Sequence, residues 1–279
     1  MSEPTKKHVV LVGCGNVGGF AGDHIMRLEN VGQLSVCDDD VYEEKNLRSQ
    51  NIVPADVGRP KAVVQADRLH RINPHVGVTA YADSIENVPL GCLEDADVIL
   101  AAVDSKRARQ VINQIAKRLN VPWIDSGVEA DRLLARVAVY YPGQEDPCIE
   151  CNWSSVQYED LETTYPCNPD AGVPAATNAP SSLGALCGSL LALECGKVIS
   201  GDTRHDGKGY EIFLEADYYN LYPTTLRFNP ECRVPEHRLG AIKPPGGFET
   251  RSIDTTSVSY THLRAHETND LISYAVFCL

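Results

Sequence analysis

The sequence predicts an α/β protein whose core is a doubly wound, mostly parallel sheet with an antiparallel extension. Three observations support this prediction. Short apolar runs alternate with helical patterns over residues 8–125, a glycine-rich loop follows the first run, and strand patterns replace the alternation near residue 133. Strands that alternate with helices are typical of parallel sheets whose faces are covered by those helices.

The parallel part is predicted from buried strands separated by helices. The apolar runs at residues 8–12 and 97–103 are continuous, which is typical of strands covered on both faces. The remaining strands are predicted at residues 33–37, 76–81 and 121–125, and the helices from the glycine loop to about residue 29 and at residues 58–71 and 106–119.

The second half of the chain has a different organisation. Residues 133–141 indicate an antiparallel strand, and residues 210–216 and 221–228 indicate a hairpin. Residues 152–180 are rich in proline and poor in apolar runs, which predicts a long loop of functional importance. Leucines at helical spacing then predict a helix over residues 180–199.

One domain is expected over residues 1–240, followed by a linker and tail over residues 241–279. Prolines and glycines at residues 243–247 indicate the boundary. From about residue 256 the sequence has no clear period and resembles a segment that recurs as a spurious translation. We therefore expect the tail to be disordered or artefactual, and we assign no function to it.

Composition and charge argue against several classes of partner. The chain has 279 residues, of which 43% are hydrophobic and 23% charged, as in ordinary soluble globular proteins. The formal net charge of -13 argues against nucleic acid and anionic membranes. We find no secretory leader and no apolar run of membrane-spanning length, and we expect a cytoplasmic protein.

Ten cysteines are scattered along the chain, which argues for a reducing compartment. Those within apolar runs are expected to be buried free thiols. They are Cys14, Cys37, Cys92, Cys187 and Cys195.

A nucleotide site is predicted at the glycine loop that follows the first strand. Gly13, Gly15 and Gly18 would let the backbone approach phosphates, while the next helix supplies N–H donors and a positive dipole. Asp38 ends the second strand, where an acidic residue binds ribose hydroxyls in Rossmann-like domains. By itself this motif favours NAD over ATP, and a tight turn without ligand is the alternative.

Further motifs change the expected nucleotide. They are Asp38-x-Asp40, Asn46-Leu47-Arg48-Ser49-Gln50, Val57-Gly58-Arg59-Pro60-Lys61-Ala62, and Asp104-Ser105 with Arg109 on the next helix. In this order the chain resembles the ThiF/MoeB and ubiquitin-activating-enzyme superfamily over about residues 8–240. The family pattern is a glycine loop, D-x-D, N-L-x-R-Q, V-G-x-x-K-A and D-N-x-x-x-R.

The resemblance implies an enzyme that uses ATP and Mg²⁺ to adenylate a carboxylate. Both reactants are anionic, so the reaction needs cations near the phosphates. Lys61 matches the family lysine in that role, and Asp104 matches the aspartate that binds Mg²⁺. Asp38 would bind the ribose, and Asn46 and Gln50 would supply hydrogen bonds around the phosphates.

Some positions depart from the family pattern. One retained position is Asp40, the second aspartate of D-x-D, which joins the expected nucleotide-binding set. The departures begin at Ser49, where the family has an arginine, while Arg48 lies one residue earlier. Arg48 either reaches the same phosphate by another route or leaves the role vacant. The family asparagine after Asp104 is Ser105.

Each site residue also has a structural interpretation. Lys61 would be a solvated lysine at a helix start, and Asp104 would be the N-cap of the next helix. Arg109 is expected to be a structural ion-pair partner.

A zinc site is expected in the C-terminal part of the chain. The bound zinc would cross-link segments of that part. Cys148 and Cys151 form a C-x-x-C pair in a loop, a spacing that favours zinc over a redox pair. The family usually adds a second C-x-x-C after the last strands, and this chain offers Cys232 and His237 instead. Loose loop thiols are the alternative.

Cys167 is the expected acyl acceptor. In the family, a loop that crosses the bound tail of the protein substrate precedes a leucine-rich helix, and it often carries a cysteine that forms a thioester or persulfide. Cys167 matches that place, and a thiolate is a good acyl acceptor. An incidental loop cysteine is the alternative.

The expected function is adenylation of the C-terminal glycine of a ubiquitin-like or sulfur-carrier protein by a homodimer. Thioester transfer to Cys167 and hand-off to a conjugating enzyme would follow. The alternatives are a sulfur-carrier adenylyltransferase of thiamine or molybdopterin synthesis, an enzyme that adenylates a small molecule or tRNA base, an NAD-dependent dehydrogenase, and a catalytically dead scaffold.

Overall fold

A computed structural model describes residues 5–143, 145–164, 179–201 and 207–234 of the chain. These residues form one eight-stranded sheet and five α-helices. The strands are β1 Lys7–Val12, β2 Val31–Cys37, β3 Gly77–Tyr81, β4 Val98–Ala101, β5 Trp123–Glu129, β6 Leu134–Tyr140, β7 Tyr210–Glu215 and β8 Asn220–Thr225. The helices are α1 Gly18–Ile25, α2 Lys61–Ile72, α3 Lys106–Leu119, α4 Ser155–Thr164 and α5 Ser181–Ile199.

The sheet has the order β3-β2-β1-β4-β5-β6-β7-β8. The five strands β1 to β5 form the parallel part, and β6, β7 and β8 extend the sheet with antiparallel pairs. The predicted doubly wound sheet with an antiparallel extension is therefore confirmed. The chain turns to opposite sides of β1 to form β2 and β4, so a switch point lies between β1 and β4.

Both faces of the parallel part are buried. On β1, Val9 and Leu11 pack in an apolar cluster with residues of α1, α2 and α5. Val10 and Val12 face the opposite cluster, to which α3 contributes. This arrangement explains the continuous apolar run, because every side chain of such a strand is buried.

Helix α5 is long and apolar enough to cross a membrane, and among the described residues it is the one helix that is. Half of an 18-residue apolar stretch of this helix is buried inside the protein. Burial raises the pKa of Cys187 and Cys195 on this helix to about 12, so both are protonated core thiols. Their predicted burial, and that of Cys14 and Cys37, is confirmed.

Two local expectations were wrong. Cys92 is exposed because it ends a short 3₁₀ turn, Leu90–Cys92. The residue that follows the turn, Leu93, fills the core position instead. Helix α4 lies within the predicted loop over residues 152–180. Its aliphatic residues Val156 and Leu161 lie on different faces, so the sequence carries no amphipathic signal there. The domain boundary near residue 240 lies outside the described residues and stays a prediction.

Candidate active site and metal centre

The glycine loop, Gly13 to Gly18, joins the carboxyl end of β1 to α1. Gly13 has a φ of +92°, and a Cβ there would overlap the carbonyl oxygen of Ala102, just beyond β4. A Cβ at Gly18 would overlap the carbonyl oxygen of Gly13. Both positions therefore require glycine. The loop lies at the switch point of the sheet, where ligands bind in open α/β sheets.

Asp38 follows β2 and contacts the glycine loop. Its Oδ2 accepts the N–H of Cys14 at 2.6 Å, and its Oδ1 accepts the N–H of Asp40 at 2.9 Å. Burial raises the pKa of Asp38, while the charge of Lys61 and the two N–H donors act to lower it. A carboxylate has about four acceptor positions, so lone pairs remain beside the loop for further donors.

Lys61 begins α2 and lies beside Asp38 and Asp40. Its Nζ is 2.6 Å from Oδ2 of Asp40, and 10% of the side chain is exposed. Burial acts to lower the pKa of Lys61, but the charges of Asp38 and Asp40 outweigh burial and raise it. The amine therefore stays protonated at neutral pH. Lys61 is a largely buried cation beside the glycine loop, and not a solvated lysine.

Tyr42 and Gln65 hold the glycine loop in place through a chain of hydrogen bonds. The sequence analysis missed both residues. The hydroxyl of Tyr42 donates to the carbonyl oxygen of Cys14 at 2.8 Å. Nε2 of Gln65 in turn donates to the Tyr42 hydroxyl at 2.8 Å. No sequence signal marks this chain of hydrogen bonds, because its members belong to three separate segments.

Asn16 was also missed, and it ties the glycine loop to the start of α5. Its Nδ2 donates to the carbonyl oxygen of Ala179 at 3.0 Å. A Cβ at Gly184 of α5 would overlap the Asn16 side chain, so the helix can approach the loop this closely only with glycine there. Oδ1 of Asn16 is buried and has no hydrogen-bond partner among the described residues.

The motif after Asp40 contributes residues of different kinds. Gln50 lies near Gly15, and its buried Oε1 lacks a partner within the described part of the chain. Asn46 is buried, and its Oδ1 accepts the N–H of Glu43 at 2.8 Å. Arg48 is exposed and forms no ion pair with any residue that the structure describes. Gln50 therefore faces the loop, while the role of Arg48 stays a prediction.

Asp104 lies between β4 and α3, on the other side of the switch point. It is exposed and forms no hydrogen bond or ion pair with the described residues. The N-cap of α3 is Ser105, whose Oγ accepts the N–H of Ala108 at 3.0 Å. Asp104 is therefore not the cap, and its carboxylate is available to a ligand.

Arg109 has a structural partner, as expected. Its Nε donates to Oδ1 of Asp125 at 2.7 Å, and its guanidinium also donates to the carbonyl oxygen of Val103 at 2.6 Å. Arg136 donates to Oδ2 of the same aspartate at 2.8 Å. Asp125 is 1% exposed, so one buried carboxylate joins two arginines. Through Val103, the adjacent residue, Arg109 also restrains the backbone that carries Asp104.

Cys148, Cys151 and Cys232 form a buried cluster whose sulfur atoms all lie within 4.8 Å of one another. The Cys148 sulfur is 3.8 Å from that of Cys151 and 3.7 Å from that of Cys232. Three thiols at these distances fit a tetrahedral zinc ion, which would supply folding energy when bound. The three thiols are buried together, so the cluster can hold a metal, and zinc binding itself stays a prediction. The expected fourth ligand, His237, and the expected acyl acceptor, Cys167, lie outside the described residues.

The fold and the site define an α/β protein with a candidate nucleotide site and a separate cysteine cluster that can hold a metal. Its glycine loop, buried lysine and free aspartate surround the switch point between β1 and β4. The model of the ThiF family matches residues 3–234, and the chain belongs to this family.

Curated relatives come from two groups. The chain is 30% identical over 236 residues to the sulfur carrier protein adenylyltransferase of Thermus thermophilus, covering 81% of each chain. It is 28% identical over 228 residues to the molybdopterin-synthase adenylyltransferase of Escherichia coli K12, covering 81% of this chain and 86% of that protein. It is 27% identical over 247 residues to ubiquitin-like modifier-activating enzyme 5 of Oryza sativa subsp. japonica, covering 81% of this chain but 55% of that one. The chain thus spans little more than half of this last relative.

Solved structures with the same fold include two of the enzyme MccB, one of them, the ATP complex, from E. coli. The complex with ATP superposes with a TM-score of 0.63 and 21% identity, covering 83% of this chain and 67% of that one. The complex with N-formylated MccA has a TM-score of 0.64 and 20% identity, covering 82% and 67%. At this level of identity the likeness establishes the fold.

Proposed function

We propose that the chain is an ATP-dependent adenylyltransferase that activates the C-terminal carboxylate of a ubiquitin-like or sulfur-carrier protein. One observation carries the proposal. Lys61 places a buried positive charge beside the glycine loop, and Asp104 offers an unpaired carboxylate on the opposite side of the same switch point. A dehydrogenase accounts for the loop and for Asp38, but it has no use for this cation and carboxylate. The named activities of the curated relatives agree with the proposal.

The proposed reaction begins when a carboxylate oxygen of the carrier protein attacks the α-phosphorus of ATP. Pyrophosphate leaves with the electrons of the broken P–O bond, and an acyl-adenylate remains. Lys61 offsets the negative charge that builds up around the phosphates, and Asp38 binds the ribose hydroxyls. Asp104 would hold Mg²⁺, which supplies further charge neutralisation on the phosphate oxygens. Asp40, Asn46, Arg48 and Gln50 complete the proposed nucleotide site.

The test is ATP–pyrophosphate exchange with radiolabelled pyrophosphate and purified candidate carrier proteins that end in Gly-Gly. Exchange should require the carrier and should stop when its last glycine is removed. A carrier-independent exchange, or none with any carrier encoded near this chain, would argue against the proposal. Bound nicotinamide absorbance in the purified protein would favour the dehydrogenase instead.

Asp104→Asn should weaken the use of Mg²⁺ while leaving the fold intact, because Asp104 is exposed and has no partner among the described residues. The Mg²⁺ concentration that half-saturates exchange should rise by about 10–100-fold or more, the range observed when groups around a metal are lost. Asp131→Asn is the matched control, since Asp131 is an exposed aspartate between β5 and β6. Equal Mg²⁺ dependence in both variants would remove Asp104 from the proposed site.

We further propose that Cys167 accepts the acyl group. Its thiolate sulfur would attack the acyl carbon of the adenylate, form a thioester and release AMP. Cys167→Ser should retain carrier-dependent exchange but lose the thiol-sensitive covalent adduct with the carrier on a gel. Cys92→Ser is the matched control because Cys92 is exposed and lies outside the site. An adduct that survives in Cys167→Ser would place the thioester on another cysteine. Carrier-dependent exchange without any adduct in the wild-type chain would favour the sulfur-carrier route without an enzyme-bound thioester.

Two exposed apolar surfaces support protein partners. The tip of the β7–β8 hairpin presents Tyr218 and Tyr219, which are 76% and 95% exposed, and we propose that a protein substrate uses such a surface. On α5, Leu186 and Leu193 are 50% and 56% exposed, which supports the homodimer that the family implies. Native mass spectrometry with and without a carrier protein measures both assemblies.

A further inference from the structure

Lys117, on the last turn of α3, is a buried cation that the proposed reaction does not use. It is 3% exposed. Its Nζ donates to the carbonyl oxygen of Gly143 at 2.7 Å and to that of Asp146 at 3.4 Å. Within the described part of the chain, no carboxylate forms an ion pair with it. Two neutral carbonyls therefore bind a buried ammonium group.

A buried charge normally has a counter-charge, because removal from water is costly. Burial lowers the pKa of Lys117, and the groups that oppose this effect are Cys148, the Asp146 carboxylate, Cys151 and Cys232. Its hydrogen bonds to Gly143 and Asp146 place the amine beside the segment that leads into Cys148, the first cysteine of the cluster. With protonated thiols, the Asp146 carboxylate is the one negative charge left among these groups.

A bound metal changes this balance. Three thiolates around a divalent cation carry one net negative charge, and a neutral imidazole as fourth ligand leaves that charge unchanged. The metal–thiolate group would then be a buried anion beside a buried cation. The hydrogen bonds of Lys117 also hold the backbone at Gly143 and Asp146, which leads directly into Cys148.

We propose that Lys117 is the counter-ion of the metal–thiolate centre and the residue that holds the first cysteine in position for the metal. The proposal depends on metal binding by the cysteine cluster and is independent of adenylation. Outer residues of this kind orient the ligands and tune the affinity of a metal site. Lys117 is a positioning residue, because it would not itself bind the metal.

Zinc competition in the full-length protein tests the proposal. Zinc content is measured by mass spectrometry, and affinity by competition with a chromogenic chelator. Lys117→Met should weaken zinc binding by about 10–100-fold, as expected for loss of an outer partner. Lys117→Arg should retain tighter binding than Lys117→Met because it keeps the charge. Arg118→Met is the control, since Arg118 is the adjacent residue on the same helix and is exposed.

The thermal midpoint distinguishes a counter-ion from a residue that only fills space. With zinc bound, Lys117→Met should lower the midpoint relative to the wild-type chain. With zinc removed by chelator, the same change should be neutral or raise the midpoint, because the buried charge then lacks the metal–thiolate anion. Equal zinc affinity in Lys117→Met and wild type would overturn the proposal. A wild-type chain that binds no zinc would overturn it too, and would leave carrier-dependent exchange as a separate result.

Discussion

Lys61→Met should reduce carrier-dependent pyrophosphate exchange by about 10²–10³-fold, the range for loss of one donor that stabilises transition-state charge. Lys61 is the buried cation beside the glycine loop, and its amine remains protonated because of Asp38 and Asp40. Methionine keeps most of the side-chain volume and removes the charge, so the fold should be preserved. The initial rate of exchange at saturating ATP and carrier is the measurement.

Arg59→Met is the matched control for this experiment. Arg59 lies close in sequence to Lys61, but its side chain is 45% exposed and pairs with Asp67 at 2.7 Å. Its removal should leave exchange nearly unchanged. If Lys61→Met and Arg59→Met had the same rate, the proposed role of Lys61 would be wrong. If the wild-type chain bound a carrier protein but catalysed no pyrophosphate exchange, the alternative of a catalytically dead scaffold would be favoured.

Asp125→Ala should give the largest loss of stability, about 3–5 kcal/mol in the free energy of unfolding, as when one partner of a buried ion pair is removed. Asp125 is 1% exposed and accepts hydrogen bonds from Arg109 and Arg136. Without it, Arg109 keeps only carbonyl acceptors, while Arg136 keeps Glu211 at 2.7 Å. Urea unfolding followed by tryptophan fluorescence is the measurement.

Asp95→Asn is the control for the stability measurement. Asp95 is 66% exposed and pairs with His8, so its loss should change the free energy of unfolding by no more than about 1 kcal/mol. A similar small effect for Asp125→Ala would mean that the two arginines find other partners or water. Exchange activity should fall in Asp125→Ala even under folding conditions, because Arg109 restrains the backbone next to Asp104.

Much of the fold was predictable because its signals are local. The apolar run of β1 is continuous because both faces of the strand are covered, and Gly13 and Gly18 are glycines because backbone atoms approach them closely. The change from parallel to antiparallel pairing also follows from the local pattern of the elements. Helix α4 was missed because its apolar residues do not share a face, and Cys92 because a short turn interrupts the apolar pattern.

The nucleotide site was predictable in part. Residue type and order indicated Asp38, Lys61 and Asp104 as a group, and the structure brings their segments to one end of the sheet. The sequence left open whether Asp104 binds a ligand or caps α3, because aspartate is a good N-cap. Backbone geometry decided for Ser105, and this choice leaves the carboxylate of Asp104 available.

The sequence by itself determined the class of fold, the glycine loop and the residue types around it, since strand and helix periods and loop chemistry act between near neighbours in the chain. Only the tertiary structure decided which distant residues meet. Cys232 joins Cys148, Arg136 shares Asp125 with Arg109, and the buried amine of Lys117 binds the carbonyl oxygens of Gly143 and Asp146 just before Cys148. Such pairings depend on how helices and strands pack, and no local pattern encodes the distance between side chains that are far apart in sequence.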